Sequence, residues 1–188
     1  MPSTDDQPTP RRPIGIVYEH PEWFTPLFAE LDRRGIPYER IHANRLRYDP
    51  AVNELNYSLV VNRMSPSSWL REGGAAIFST LNYLSYLDEI GVPVINGTRS
   101  YQYEISKARQ LRLLESLGVA HPRARVINHP SEAVPAAVGL TYPVLVKPNI
   151  GGSGAGIVSF DDPDELRQAA DADEFEFGPD HTALVQEH

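Results

Sequence analysis

Apolar and polar positions follow two rhythms along the chain. Short β-branched runs such as IGIVY at residues 14–18 and SLVVN at 58–62 read as strands. Between them lie stretches whose apolar residues recur at three and four. Residues 25–34 place Leu27, Phe28 and Leu31 on one side and stop at Gly35 and Pro37. Residues 75–90 repeat the pattern with Ile77, Leu81, Leu84, Leu87 and Ile90 before Gly91 and Pro93. Further strands are expected at 38–41 and 94–96. Strands alternating with helices through short connections predict a parallel sheet with helices on its faces, a small Rossmann-like layer over residues 13–99. Its first strand-to-helix turn, Tyr18-Glu19-His20-Pro21-Glu22, lacks the glycines that let a pyrophosphate approach the backbone, which argues against dinucleotide binding there.

The second half has a different rhythm. Residues 101–117 predict one helix with Ile105, Ala108, Leu111 and Leu114 on a stripe and Gly118 just past its end. Next come a strand at 124–127, a helix opened by Pro130-Ser131-Glu132, a strand at 144–147, a glycine loop and a strand at 156–160. A helix begun by Asp162-Pro163-Asp164-Glu165 and a last strand at 183–186 complete the pattern. The proline-rich residues 1–12 are expected to form a disordered tail.

Composition narrows the function. Seventeen basic against 25 acidic side chains give a net charge of -8, and the cations form no block, which disfavours nucleic acid as a partner. The chain has no cysteine, so thiolate metal sites, disulfides and cysteine nucleophiles are excluded. No apolar run has the length of a membrane span and no signal peptide is legible, so no membrane partner and a cytoplasmic location are expected. The six histidines show no zinc-site spacing, and the acids at 161–165 are accounted for by helix capping.

The informative stretch is YPVLVKPNIGGSGAGIVSF, residues 142–160. A Walker A loop would end in Gly-Lys-[Ser/Thr], whereas Lys147 precedes this loop. A Rossmann fingerprint would open a helix, whereas Ile157-Val158-Ser159-Phe160 is a β-branched strand. What remains is a glycine hairpin flap whose N–H groups can close over phosphates, or an ordinary flexible hairpin. Lys147 favours the flap, because an ammonium in a run of Val144, Leu145 and Val146 is unfavourable unless it meets an anion or reaches water.

Taken in order, ISKARQLRLLESLGVAHPRARVI, YPVLVKPNIGGSGAGIVSF and ALVQEH resemble successive elements of the ATP-grasp superfamily, most closely the RimK-like branch of carboxylate-amine (α-L-glutamate) ligases. The resemblance spans residues 100–188, and VVNRMSP at 60–66 is similar to the end of the domain that precedes the ATP-grasp module. It implies an α/β fold: a Rossmann-like pre-ATP-grasp layer at 13–99, then the first, lid-bearing α+β subdomain at 100–188, truncated at the hinge. It also implies that Lys107 and Lys147 contact the phosphates of ATP, that Gly152, Ser153 and Gly154 form the flap tip, and that Gln186, Glu187 and His188 form the hinge whose backbone reads adenine. Arg63, at the end of a buried strand, is a candidate clamp for a substrate carboxylate, with loop bracing as its alternative.

The implied chemistry is ATP-dependent activation of a small-molecule or peptide carboxylate and its capture by an amine, with Mg2+ bridging phosphates. The ligands for Mg2+ and the other jaw are expected beyond residue 188, so the 188-residue chain is expected to be inactive alone and its full-length parent is a candidate homo-oligomer. Other readings are a non-catalytic nucleotide-binding or regulatory module of this fold, and a D-alanine ligase-like or carboxylase-like enzyme.

Overall fold

The computed structural model describes residues 11–71 and 73–188, so the expected tail lies outside the described residues except for Arg11 and Arg12. β1 (Ile14–Tyr18), β2 (Tyr38–His42), β3 (Leu59–Asn62) and β4 (Val94–Ile95) form the expected parallel sheet, in the order β2-β1-β3-β4. Successive residues of a strand point to opposite faces. Ile16 accordingly packs with Phe24 and Phe28 beside α1 (Thr25–Arg33), while Val17 and Val60 join Ile77, Leu84 and Leu87 of α2 (Gly74–Glu89). Burial on both faces explains why these strands are apolar throughout instead of alternating.

The strand order reverses between β1 and β3, because the chain leaves β1 toward β2 and returns on the other side. At such a switch point the connections diverge and a crevice opens beyond the strand ends. Phe24, from the first connection, and Asn62, Arg63 and Met64, from the end of β3, stand around it.

β5 (Ala124–Ile127), β6 (Val144–Pro148), β7 (Val158–Phe160) and β8 (Ala183–Glu187) form an antiparallel sheet in the order β5-β8-β6-β7. One face is closed by α5 (Ala133–Ala137) and α6 (Pro163–Asp171), whose Ala133, Ala137, Leu166 and Ala169 pack on Val144, Val146, Ala183 and Val185. α6 starts as expected, with the Asp162 carboxylate accepting from the N–H groups of Asp164 and Glu165.

The expected helix at 101–117 is instead two helices, α3 (Thr98–Glu104) and α4 (Lys107–Ser116). Ser106 takes an extended conformation and accepts the Arg109 N–H with its hydroxyl, so it caps a new helix where the periodicity suggested continuity. The stripe is split as a result. Ile105 lies in the first core, whereas Ala108, Leu111 and Leu114 are half-buried. Tyr101 also lies in the first core, so the apolar packing of the first sheet reaches past residue 99.

Ile150 crosses the same line in the opposite sense. It lies just beyond β6 at the base of the glycine loop, yet it is 3% exposed and packs in the core of the first sheet. The loop is thereby pinned at its root to the neighbouring sheet.

Candidate functional site: two lysines beneath a glycine flap

β6 and β7 pair antiparallel from Val144↔Phe160 to Val146↔Val158, so residues 151–156 form the hairpin connection that the sequence predicts. Residues opposite one another in a ladder share a face. Lys147 lies opposite Leu184 and Leu145 opposite Gln186, which sets these four on the face away from the α5–α6 core.

Lys107 is the first residue of α4. Its Nζ donates to the carbonyls of Pro148 at 2.7 Å and Asn149 at 3.2 Å, directly beneath the loop. Both lysines are held below the ordinary value of 10.5. Burial is the first cause for Lys107, with the charge of Lys147 second, and Asp180 partly opposes the shift. Burial alone accounts for Lys147. Two half-buried ammonium groups are unfavourable by themselves, and a bound anion would relieve their desolvation.

The loop above them fits against the first sheet's connections. A side chain at Gly152 would stand 3.0 Å from Ser67 Cβ, and one at Gly151 would stand 3.5 Å from Trp69 Nε1 and 3.6 Å from Lys107 Nζ. Gly156 adopts φ +70°, and a Cβ there would lie 2.8 Å from Pro148 Cγ, so this position admits only glycine. Ser153 and Gly154, at φ 58° and 74°, form the exposed tip. Trp69 Nε1 is buried without an acceptor among the described residues.

Two adjoining hollows open from this point and share Trp23, Ser65 and Glu104. One, of about 330 Å3, runs under the flap past Lys107 and Ser67. The other, of about 320 Å3, lies at the switch point and is bordered by Arg63. Arg63 is exposed, its N–H bonds Val17 O at 2.9 Å and its guanidinium lies 6.0 Å from the centre of the Phe24 ring. Its neighbour Asn62 is buried and immobilised: Nδ2 donates to Asn96 O, and Oδ1 accepts from Met64 N. The cavity has a fixed floor and an exposed cation at its rim.

At the far end of the sheet, Gln186 is 7% exposed on the lysine face. Glu187 N–H bonds Arg123 O and His188 N–H bonds Pro143 O, so these two donors are engaged within the protein and would meet an adenine edge only if those bonds opened. The Glu187 carboxylate is pushed down to about 2, first by Arg123 and then by the Thr141 N–H, which marks a structural brace.

Sequence reasoning did not single out Asn149, Ser67, Trp69 or Asp180. Ser67 and Trp69 sit in a 3-10 turn, Pro66–Arg71, whose burial has no periodic signature. Glu19 is likewise buried and pairs with Arg71, an ion pair across residues distant in sequence. Among the described residues no three His, Asp or Glu side chains converge as metal ligands. Among the described residues no helix is long and apolar enough to cross a membrane.

The same arrangement of sheets and helices recurs in solved structures. The fold is similar to that of a RimK domain ATP-grasp protein from Sphaerobacter thermophilus, with a TM-score of 0.66 at 17% identity over 94% of this chain and 63% of that one. It is similar to D-alanyl-alanine synthetase A from Vibrio cholerae, with a TM-score of 0.62 at 14% identity over 95% and 59%. The chain has the ATP-grasp fold. In sequence it is 32% identical over 149 residues to the C-terminal section of the carbamoyl phosphate synthase large chain of Methanopyrus kandleri, covering 76% of this chain and 26% of that protein. The chain thus spans about a quarter of that curated relative. No family model matches.

Proposed function

We propose that this chain carries part of the ATP site of an ATP-dependent ligase that joins a carboxylate to an amine, in the manner of the RimK-like branch. The observation that carries this reading is the Lys107 ammonium held on the Pro148 and Asn149 carbonyls, next along the chain from Lys147, with both cations half-buried at the root of a glycine hairpin. Such a pair suits a polyphosphate, whose charge grows on the leaving oxygens as the γ-phosphoryl group transfers. In the proposed reaction a carboxylate oxygen attacks the γ-phosphorus and ADP leaves. The amine nitrogen then attacks the acyl carbon, the C–O bond to phosphate breaks, and the proton lost from nitrogen leaves with the departing phosphate. Lys107 and Lys147 neutralise phosphate oxygens, the flap covers them with N–H groups at residues 152–154, and Arg63 holds a carboxylate of the substrate in the switch-point cavity. The adenine lies along the sheet face near residues 186–188.

Similarity to a D-alanyl-alanine synthetase in fold and to a carbamoyl phosphate synthase in sequence supports ligase chemistry at the level of the class. The test is calorimetric titration of Mg-ATP with an assay of ADP release in the presence of candidate carboxylates and amines, on the full-length protein. Replacing both lysines by alanine is expected to weaken Mg-ATP binding at least about a hundredfold, close to 3 kcal/mol. Unchanged affinity would sink the ATP reading. Nucleotide binding with no substrate-dependent ADP release would leave a binding module and remove the enzyme. Arg63→Ala is expected to raise the KM of the carboxylate and leave ATP affinity unchanged.

A further inference from the structure

We propose that Asn149 is a positioning residue for Lys107: its buried side chain locks the first turn of α4 to the root of the flap and so sets where the Lys107 ammonium stands. This rests on the ATP-site reading above. Asn149 is 7% exposed, and nearly every hydrogen-bonding group it has is committed. Oδ1 accepts from Ala108 N–H at 3.0 Å and from Ser106 Oγ–H at 3.2 Å. Nδ2 donates to Asp180 Oδ2 at 2.7 Å. Its N–H bonds Thr182 O at 2.9 Å, and its carbonyl accepts from both Lys107 N–H, at 3.3 Å, and Lys107 Nζ, at 3.2 Å.

The orientation of the amide is set by its partners. A backbone N–H can only donate, so the atom facing Ala108 is the oxygen. A carboxylate accepts, so the atom facing Asp180 is the nitrogen. Only asparagine among the small side chains offers both in one plane. Aspartate would set two carboxylates against each other, and alanine would leave the Ala108 N–H and the Asp180 oxygen without this partner.

The consequence for Lys107 is geometric. Its Cα is the start of α4, which Ser106 and Asn149 fasten at the break between α3 and α4. Its Nζ rests on the Pro148 and Asn149 carbonyls, a short reach from the flap. If Asn149 releases the helix start, the ammonium loses the fixed origin from which it reaches a phosphate, and contacts misplaced by an ångström lose much of their strength.

A double-mutant cycle read by calorimetric binding of Mg-ADP to the full-length protein separates this role from a merely structural one. Lys107→Ala should weaken binding about tenfold. Asn149→Ala should weaken it about fivefold in the native background and less than about twofold when residue 107 is already alanine. Equal losses in both backgrounds, or no loss in the native one, would overturn the proposal while leaving the ATP site standing. If Lys107→Ala and Lys147→Ala both leave binding unchanged, the ATP reading itself falls and the proposal with it. Should Asn149→Ala not fold, Asn149→Ser, whose single short hydroxyl cannot replace the planar amide between Ala108 N–H and Asp180, runs the same cycle with the same expectations.

Discussion

The two sheets use their faces differently. The parallel sheet of β1 to β4 is covered on both sides, by α1 with Phe24 and Phe28 and by α2 with Ile77, Leu84 and Leu87, so its chemistry is confined to the ends of its strands. The antiparallel sheet closes one face with α5 and α6 and carries Lys147 and Gln186 on the other. A strand with one face outside the α5–α6 core can carry a cation on a rigid backbone, whereas a strand covered by an apolar core on both faces can present only the residues just past its end. This difference explains why the phosphate candidates lie in mid-strand and at a helix start, and why Arg63 lies just beyond β3. Ile150 and the flap tie the two together.

Cutting that tie should have the largest effect. Ile150→Ala removes a buried side chain of the flap root from the first core and should destabilise the fold by about 2–5 kcal/mol. If the two sheets depend on each other through this residue, a single urea transition should separate into two, read by fluorescence and far-UV dichroism together. Coincident transitions in the variant would show that the sheets are coupled elsewhere.

The alkaline limb of nucleotide binding tests the face of the second sheet. Both lysines sit below 10.5, so their protons, and with them the attraction for phosphate, should be lost as pH rises through values lower than that. Lys147 and Glu104 stand near Lys107 from the other elements around it, and Asp180 opposes the shift. Mg-ADP affinity should therefore begin to fall below pH 10.5, and Asp180→Asn should move the fall to lower pH. A midpoint at the ordinary lysine value would mean that the ammonium groups are solvated.

A smaller effect is expected at the contact between flap and turn. In Gly152→Ala the new Cβ would meet Ser67 Cβ at 3.0 Å, so the loop should lift by a few tenths of an ångström. The expected cost is about 1 kcal/mol or less, visible as faster amide exchange at residues 151–156, and Ser67→Gly should restore the native rate. The smallest concerns the brace at residues 123, 141 and 187. Glu187 is depressed to about 2 from 4.5, so its stabilising contribution is complete above 4.5 and is lost as pH falls toward 2. The melting temperature of Glu187→Gln should lie below that of the native chain at neutral pH and converge with it at about pH 2.

Patterning along the chain carried the strands and most helices, because each buried face imposes its own period on the residues that line it. IGIVY and SLVVN were legible as β-branched strands, and the hairpin around residues 151–156 as a strand–loop–strand unit, through local rules that need no partner. Lys147 was legible for the same reason: a cation in an apolar run contradicts its surroundings.

The break between α3 and α4 was not legible in the stripe of Ile105, Ala108, Leu111 and Leu114. An unbroken helix satisfies the same period, and what broke it is the cap at Ser106 and the amide of Asn149, 43 residues apart in sequence. Nor could local pattern assign Ile150 to the other sheet's core, bring Ser67 under Gly152, or set Lys107 on the carbonyls of Pro148 and Asn149. Sequence alone determined most of the segments that become strands and helices and which residue types stand out among them. Tertiary structure decided which of those residues meet, because hydrogen bonds and contacts between distant segments depend on how whole elements pack, and no local period encodes that.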